Sequence, residues 1–371
     1  MTDGSEREQV GASAGSGNGQ GQGTVSAPPA QQPPLPEGAG EDRHASMRSV
    51  ATRIVEIESV PVLIATIVIV VVIGILHPEY LKWGQLKDVL QQSVYVGILA
   101  AGMAFLLSMR ELDLSVGSIF GLSLISSALL ISHGMNPWLG ALIGVLLGGA
   151  MGLINALLVQ VIAIPAIVAT LATLSMYRGL ALALANGQQV TNLPIGNSFF
   201  TKLGGNTLGL PTSVWILIAT ALILTGVLRF TPFGYRVRSI GSNPEAATFS
   251  GISIPRVRIQ ALVLMGLLAG LAGMLGLAFF ESGDPNIGTG FELQAIAAAV
   301  IGGTPLRGGS ATVIGAVFGA ILLSAVNAGL PFLNVPQNWS AFTTGAVILG
   351  AVSLDSLVRR RRRGHSSGLA L

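Results

Sequence analysis

The chain has 371 residues, of which 51% are hydrophobic and only 10% are charged, and its formal net charge is +3. Soluble domains carry about 25% charged residues, so this composition cannot cover a water-exposed surface and indicates a protein embedded in lipid. The sequence contains no cysteine, which excludes disulfides and thiolate chemistry, and its basic residues lack interleaved aromatics, which argues against nucleic-acid binding.

The first 45 residues are rich in Gly, Gln, Ser, Ala and Pro, as in GASAGSGNGQGQG and APPAQQPPLP. A segment of this composition buries too little apolar surface to offset its ordering entropy, so we predict a disordered cytoplasmic tail at 1–45. The tail is too long and too polar to begin a cleaved signal peptide. The first apolar span is therefore expected to remain as an uncleaved anchor.

Ten apolar segments follow, most of them close to the ~17–25 residues that a bilayer core requires. They predict an all-α, polytopic transmembrane helical bundle at 54–357, followed by a basic cytoplasmic tail at 358–371. The eighth segment is short, which predicts a partial or re-entrant helix. The ten predicted spans are 60–76, 89–108, 115–132, 138–161, 165–185, 213–229, 256–280, 292–303, 311–330 and 338–356.

The basic residues are distributed unevenly between the predicted loops. With the N-terminus inside, sixteen of the 20 basic residues fall on the cytoplasmic side, including the RRRRR run at 359–363. The outer side receives only Lys82, Lys87 and Lys202. Because an excess of Lys and Arg marks cytoplasmic loops, both termini are predicted to be cytoplasmic, which requires an even number of spans.

Acidic residues occur where the second predicted span meets the third. Glu111 and Asp113 precede Ser115 in this loop, and Arg110 is placed to neutralise Glu111. Acids at a membrane border are costly and usually functional, which favours a polar element near a transport path. The alternative is that Asp113 or Ser115 caps the third span, where the helix dipole favours negative charge.

Glycines recur every fourth residue along the fourth span, from Gly140 to Gly152. The same spacing returns at Gly266 and Gly270 and in the ninth span. Small residues let helix backbones approach closely in lipid, so these stripes predict helix packing rather than a binding site.

Polar side chains also lie within the fourth and fifth spans. Asn155, Thr170, Thr173 and Ser175 either line a hydrophilic path for hydroxyl-rich solutes or form hydrogen bonds between helices. For Arg178, we predict that the long side chain snorkels toward the outer interface.

A loop between the sixth and seventh spans, 229–258, carries a complete short-helix signature. Asn243 suits the N-cap, Pro244 the first helical position and Glu245 the positive end, while Gly251 can close the C-terminus. The signature predicts a helix of about two turns outside the membrane. Such a helix is unstable alone, so it must be held by packing.

Two glycine-containing segments surround the eighth span. The segment FESGDPNIGTGFEL (280–293) is predicted to form a turn-rich outer surface on which a substrate-binding protein docks. Gly302 and Gly303 interrupt the span itself, so IGGTPLRGG is either a broken helix that exposes backbone groups to a cavity or a tight turn.

The run SIGSNPEAATFSGI resembles the coupling-helix loop of bacterial ABC importer permeases of the ribose type. The resemblance extends over nearly everything from the first span to Asp355, through ELDLSVGS, IPAIVATLATLSMYRGLAL, FELQAIAAAVIGGTPLRGGSATVIGAVFGA and GAVILGAVSLD. One departure concerns the residues before DLSVGS. The family usually has two Gly and Ile there, whereas this chain has Met109, Arg110, Glu111 and Leu112.

The resemblance implies a permease subunit that moves a monosaccharide or sugar-like solute into the cell across the bacterial inner membrane. The implied partners are a second permease copy, two ABC ATPase subunits, an extracytoplasmic sugar-binding protein and membrane lipid. We assign contact with the ATPase to Gly241, Asn243, Glu245, Ala246, Ala247 and Gly251. We assign a substrate path to Asp113, Ser115, Asn155, Thr170, Thr173, Gly302 and Gly303.

The sequence carries no ATPase motif of its own. A Walker A loop ends in Lys followed by Ser or Thr, whereas the three lysines here precede Trp83, Asp88 and Leu203. The four histidines are scattered without metal-ligand spacing. We therefore predict a transport subunit that is not an enzyme and binds no cofactor or metal, with ATP and Mg used by the partner ATPase.

Two other classes of protein remain as alternatives. A secondary transporter driven by an ion gradient predicts acids within the spans and uptake without ATP, whereas this chain has few such acids and a docking loop. A membrane-embedded enzyme needs clustered nucleophiles, bases or metal ligands, which the sequence does not show. Within the ABC class, the cargo is alternatively a polyol, a sugar-like signal or an amino acid.

Overall fold

The computed structural model describes residues 60–339, 341–346, 349–350 and 353. The α-helices are α1 (Val60–Leu76), α2 (Trp83–Ser108), α3 (Val116–Ser132), α4 (Pro137–Gln160), α5 (Ala166–Leu184), α6 (Ser198–Leu203), α7 (Thr212–Phe230), α8 (Pro232–Ser242), α9 (Pro244–Phe249), α10 (Ile254–Phe280), α11 (Phe291–Ile301) and α12 (Val313–Gly329). Short 3-10 helices lie at Pro78–Leu81, Pro331–Leu333 and Gln337–Trp339. The predicted tails at 1–45 and 358–371, and part of the tenth predicted span, lie outside the described residues.

One two-stranded antiparallel hairpin interrupts the helices. It consists of β1 (Asn206–Thr207) and β2 (Leu210–Pro211), with Thr207 paired to Leu210. Its two turn residues, Leu208 and Gly209, both have positive φ, at 53° and 83°. Positive φ at both positions is the geometry of a type I′ turn, which matches the twist of hairpin strands.

Nine described helices are apolar and coincide with the first nine predicted spans. Six of them are long enough to cross a membrane: α2, α4, α5, α7, α10 and the stretch Val313–Leu333 that α12 begins. The helices α1, α3 and α11 are apolar but shorter. The prediction of an all-α, polytopic membrane bundle is therefore confirmed, whereas the count of ten spans stays a prediction.

Asparagine followed by proline begins two of the helices. Asn136 Oδ1 accepts the N–H of Trp138 at 2.9 Å, and Asn243 Oδ1 accepts the N–H of Ala246 at 3.1 Å. Each side chain satisfies a first-turn donor that has no partner within its helix. Proline suits the next position because its φ is already helical and it has no N–H to satisfy.

The helix α2 occupies the centre of the bundle. Every residue from Ser93 to Met109 is buried, and α2 contacts α7, α8, α10, α11 and α12. A helix that is buried on all sides belongs to a core. In contrast, α5 buries a single stripe and exposes apolar side chains such as Ile167, Leu171 and Met176 over much of its remaining surface, as suits a helix that faces lipid.

Glycines bring α4 and α10 into backbone contact. A Cβ added at Gly148 would collide with the carbonyl oxygen of Gly266, and one at Gly266 would collide with that of Gly148. Gly152 lies equally close to the carbonyl oxygen of Leu262. The predicted packing role of the glycine stripe is confirmed, since side chains here would force the two helices apart.

Candidate functional site

A buried polar cluster joins the start of α3 to α4. Asp113 Oδ1 accepts hydrogen bonds from the N–H of Ser115 at 2.9 Å and from its Oγ at 2.6 Å. From α4, Asn155 Nδ2 donates to Ser115 Oγ at 2.7 Å and lies 3.4 Å from Asp113 Oδ2. All three side chains are completely buried. The structure thus brings together three residues that the sequence assigned to a substrate path.

Tyr177 of α5 completes this cluster, which we call the polar cluster (Asp113, Ser115, Asn155 and Tyr177). Its hydroxyl donates toward Asn155 Oδ1 at 3.3 Å and toward the Met151 carbonyl at 3.2 Å. Tyr177 was not predicted to belong to the site, although it lies one turn after Thr173 on the same face of the helix.

The two assigned threonines of α5 do not hydrogen-bond to the polar cluster. Thr170 and Thr173 are buried, but their hydroxyls donate to carbonyls of their own helix, at 2.9 Å to Ala166 and 3.3 Å to Thr170. Such bonds satisfy a polar group locally without linking two helices.

Asp113 precedes the N-cap of α3, which is Ser115 without a side-chain capping bond, and the predicted place of Asp113 beside a transport path stays a prediction. Its bond from the Ser115 N–H forms a turn that leads into α3, and its carboxyl is at the same time enclosed by neighbouring helices. Burial raises the pKa of this carboxyl, while the hydrogen bonds from Ser115 and Asn155 lower it. Desolvation disfavours the charged form and hydrogen bonds favour it.

The segment before α11 folds back into the bundle. The guanidinium Nη1 of Arg178 donates to the carbonyls of Pro285 at 2.6 Å and Ile287 at 3.1 Å. Gly288 lies so close to Gly117 of α3 that a Cβ on it would meet the Gly117 carbonyl at 2.6 Å. Arg178 thus binds backbone carbonyls of this segment, and its predicted snorkelling toward the outer interface stays a prediction. The predicted outer surface at 280–293 is partly buried.

The helix α11 has 11 residues and spans only part of a bilayer. At 1.5 Å per residue it is about 16 Å long, against a hydrocarbon core of about 30 Å. Its first turn carries Glu292, whose charge suits the positive end of a helix. The short eighth helix that the sequence predicted is thus observed.

Gly302 and Gly303 form a tight turn at the end of α11. Gly303 has φ of 100°, its N–H donates to the Val300 carbonyl at 3.0 Å, and the next N–H donates to Ala299 at 2.9 Å. This pattern is a Schellman motif, which requires a left-handed residue. Gly302 packs directly on the backbone of Gly315 in α12. Of the two readings of IGGTPLRGG, the tight turn is observed.

The predicted short helix of loop 229–258 is present as α9. Its last turn closes at Gly251, with φ of 78°, and the Ile252 N–H donates to the Ala247 carbonyl at 3.0 Å. Within the helix only Ala247 is buried, whereas Glu245 and Ala246 are exposed. The helix α8, which was not predicted, precedes α9 and buries Gly241 in its last turn.

The exposed surface of α9 is partly apolar. Phe249 at its end is 93% exposed, and the basic residues Arg236 and Arg256 on the neighbouring helices are exposed as well. A six-residue helix with one buried side chain offers little to hold itself in water. The arrangement suits a surface that another protein covers.

Comparison with known proteins places this architecture in context. Residues 85–352 match the family model described as branched-chain amino acid transport system / permease component. The chain is 36% identical over 288 residues to the ribose import permease protein of Bacillus subtilis strain 168, covering 78% of this chain and 89% of the relative.

Two further relatives have comparable similarity. The L-arabinose ABC transporter permease protein of Azospirillum brasilense is 35% identical over 286 residues, covering 77% of this chain and 84% of the relative. The autoinducer 2 import system permease protein of Salmonella typhi is 35% identical over 298 residues, covering 80% and 85%. No solved structure matches the chain significantly.

Proposed function

Because the chain belongs to the family of branched-chain amino acid transport system permease components, we propose that it is the membrane subunit of an ABC importer for a monosaccharide or sugar-like solute. The protein is a transport component rather than an enzyme. The family description names amino acids, but relatives that share about a third of their residues with this chain are named for ribose and L-arabinose. Sugars are therefore the proposed cargo class.

The observation that carries the ATP-driven mechanism is the exposed helix α9. It is too short to be stable alone, is fixed at both ends by capping residues, and presents Phe249 to solvent. Large exposed aromatic side chains are typical anchors at protein interfaces. We propose that Gly241, Asn243, Glu245, Ala246, Ala247 and Gly251 form or support the surface that an ATPase subunit binds.

The polar cluster is the proposed substrate path. Its hydroxyl, amide and carboxyl groups supply both donors and acceptors, which are the groups that sugar hydroxyls pair with. In the described conformation these groups hydrogen-bond to one another, so the helices must separate before a solute can bind to them. Thr170, Thr173, Gly302 and Gly303 are assigned to the same path, although their observed contacts also have a structural explanation.

The proposed assembly contains two permease copies, two ATPase subunits, an extracytoplasmic sugar-binding protein and surrounding lipid. The protein is a multi-pass protein of the bacterial inner membrane. The distribution of basic residues supports cytoplasmic termini. Closure of the ATPase dimer on ATP would then move α9 and reorient the bundle. The partner ATPase uses ATP and Mg, and this chain is proposed to bind no cofactor.

A reconstituted system tests the proposal. The chain is incorporated into liposomes with its ATPase and binding-protein partners, and uptake of labelled ribose, L-arabinose and leucine is measured with and without ATP. We expect ATP-dependent uptake of a sugar and none of leucine. Leucine uptake would overturn the cargo class alone. Uptake without the ATPase, abolished by an ionophore, would establish a secondary transporter instead.

A further inference from the structure

The α2–α3 loop holds both flanks of α9. Arg110 Nε donates to the Gly241 carbonyl at 3.0 Å, and its Nη2 donates to the Ser242 carbonyl at 3.2 Å, immediately before α9. The next residue, Glu111, pairs with Arg258 Nη2 at 2.5 Å, shortly after α9. Both members of this ion pair are largely buried, with 14% and 26% of their side chains exposed. Two consecutive side chains thus bind the segments on either side of α9.

The backbone at Arg110 is unusual for its residue type. Arg110 has φ of 65°, its N–H donates to Leu107 at 2.9 Å, and the Glu111 N–H donates to Leu106 at 2.9 Å. This is a Schellman motif with its left-handed position occupied by arginine, where glycine is the usual residue. The guanidinium donates hydrogen bonds to Gly241 and Ser242 that offset the cost of the left-handed backbone. A glycine would avoid this cost but could not make the two bonds.

A backbone junction reinforces the same connection. Gly241 lies so close to the end of α2 that a Cβ would collide with the Ser108 carbonyl and meet Gly309 N at 2.6 Å. The Ser108 carbonyl in turn accepts the Gly309 N–H at 2.9 Å. The end of α8, the end of α2 and the α11–α12 loop therefore meet without room for a side chain, so a shift of one displaces the others.

The loop also leads directly to the polar cluster. Asp113 follows Glu111 by two residues and is fixed by its bonds to Ser115 and Asn155. We propose that residues 110–113 act as a coupling strap, in which Arg110 and Glu111 are positioning residues that transmit displacement of α9 to the polar cluster. The proposal rests on the proposed function, in which α9 receives the motion of the ATPase.

Arg258 shows how the strap can move without breaking. Among the described residues its buried Nε has no acceptor, so the guanidinium keeps an unused donor beside the Glu111 pair. A guanidinium carries five donors in a planar fork. It can therefore exchange one oxygen partner for another when the flanks of α9 shift.

The test separates transmission of motion from folding and docking. Arg110→Ala, Glu111→Gln and a control, Arg307→Ala, are reconstituted with the ATPase and binding protein. Arg307 is an exposed arginine of the α11–α12 loop. The measured quantities are ATPase co-purification, ATP hydrolysis and solute imported per ATP. We expect the two strap variants to retain ATPase binding and hydrolysis but to import about fivefold less solute per ATP, while the control matches the wild type.

A charge swap keeps the proposal falsifiable if the single variants fold poorly. Glu111→Arg combined with Arg258→Glu restores an ion pair with reversed polarity, and we expect it to recover import per ATP relative to Glu111→Arg alone. An unchanged ratio in both strap variants, or no recovery in the swap, overturns the coupling strap and leaves the importer intact. Loss of ATPase binding in the strap variants also overturns it. Failure of the wild type to import with ATP refutes the proposed function instead.

Discussion

Replacing Asn155 with leucine is expected to destabilise the protein, because it removes the amide that ties α4 to α3 and α5. The side chain makes one short bond, at 2.7 Å to Ser115, and two long ones, at 3.4 Å to Asp113 and 3.3 Å from Tyr177. Hydrogen bonds between membrane helices average about 0.6 kcal/mol, with a maximum near 1.7. The three together therefore amount to about 2 kcal/mol, or roughly 30-fold in the unfolding equilibrium.

The chain supplies a matched control at Asn327 in α12. Its Oδ1 is buried but has no hydrogen-bond partner among the described residues. Asn327→Leu therefore removes a buried amide oxygen without breaking a hydrogen bond to it. Unfolding is measured in detergent micelles by the denaturant dependence of tryptophan fluorescence. Asn155→Leu is expected to be the less stable of the two by about 2 kcal/mol. Equal stability of the two variants would refute the idea that the polar cluster holds the helices together.

Three further changes follow from packing and exposure. Gly148→Val is expected to abolish the folded state, because a side chain would collide with α10. The control Gly226→Val is expected to be tolerated, since nothing lies within 4 Å of its Cβ position. Folded protein is measured by size-exclusion chromatography, and equal yields of the two variants would contradict this prediction. Phe249→Ser is expected to weaken ATPase co-purification about tenfold without changing thermal stability. Leu208→Ser is the control, because Leu208 of the hairpin is similarly exposed. Unchanged co-purification would show that Phe249 does not contribute to the interface. Arg178→Gln is expected to speed hydrogen exchange in residues 282–290, because it weakens the bonds to two carbonyls that hold this segment in the bundle; unchanged exchange would show that packing alone holds it.

Local signals in the sequence predict many features of this fold. The Asn243–Pro244 pair begins α9 where it was expected, because a cap and its first-turn proline depend on neighbouring residues alone. Gly148 and Gly152 of α4 make backbone contacts with α10, in agreement with the close helix packing that the glycine spacing predicted. The shortness of α11 was likewise visible, since span length depends on the number of consecutive apolar residues.

Features that depend on distant partners were not predictable from one sequence. Arg110 was expected to neutralise its neighbour Glu111, yet it binds the end of α8 while Glu111 pairs with Arg258. Arg178 was predicted to reach the outer interface because a long cation usually extends toward water, and its carbonyl partners Pro285 and Ile287 lie too far along the chain to be predicted. Tyr177 gave no signal of its own, because an aromatic residue in an apolar helix is usually part of the core.

The central position of α2 has a consequence for how the protein is made. Its buried Gln91 receives a hydrogen bond from Ser213 of α7 at 2.5 Å, and its other neighbours include α10, α11 and α12 near the far end of the chain. At about 5–20 residues per second, ribosomes need about 10–45 seconds to proceed from the end of α2 to the end of α12. During that interval, lipid contacts the surfaces of α2 that the later helices will cover. A nascent chain interrupted before α10 would leave the surfaces of α2 that α10, α11 and α12 cover exposed to lipid.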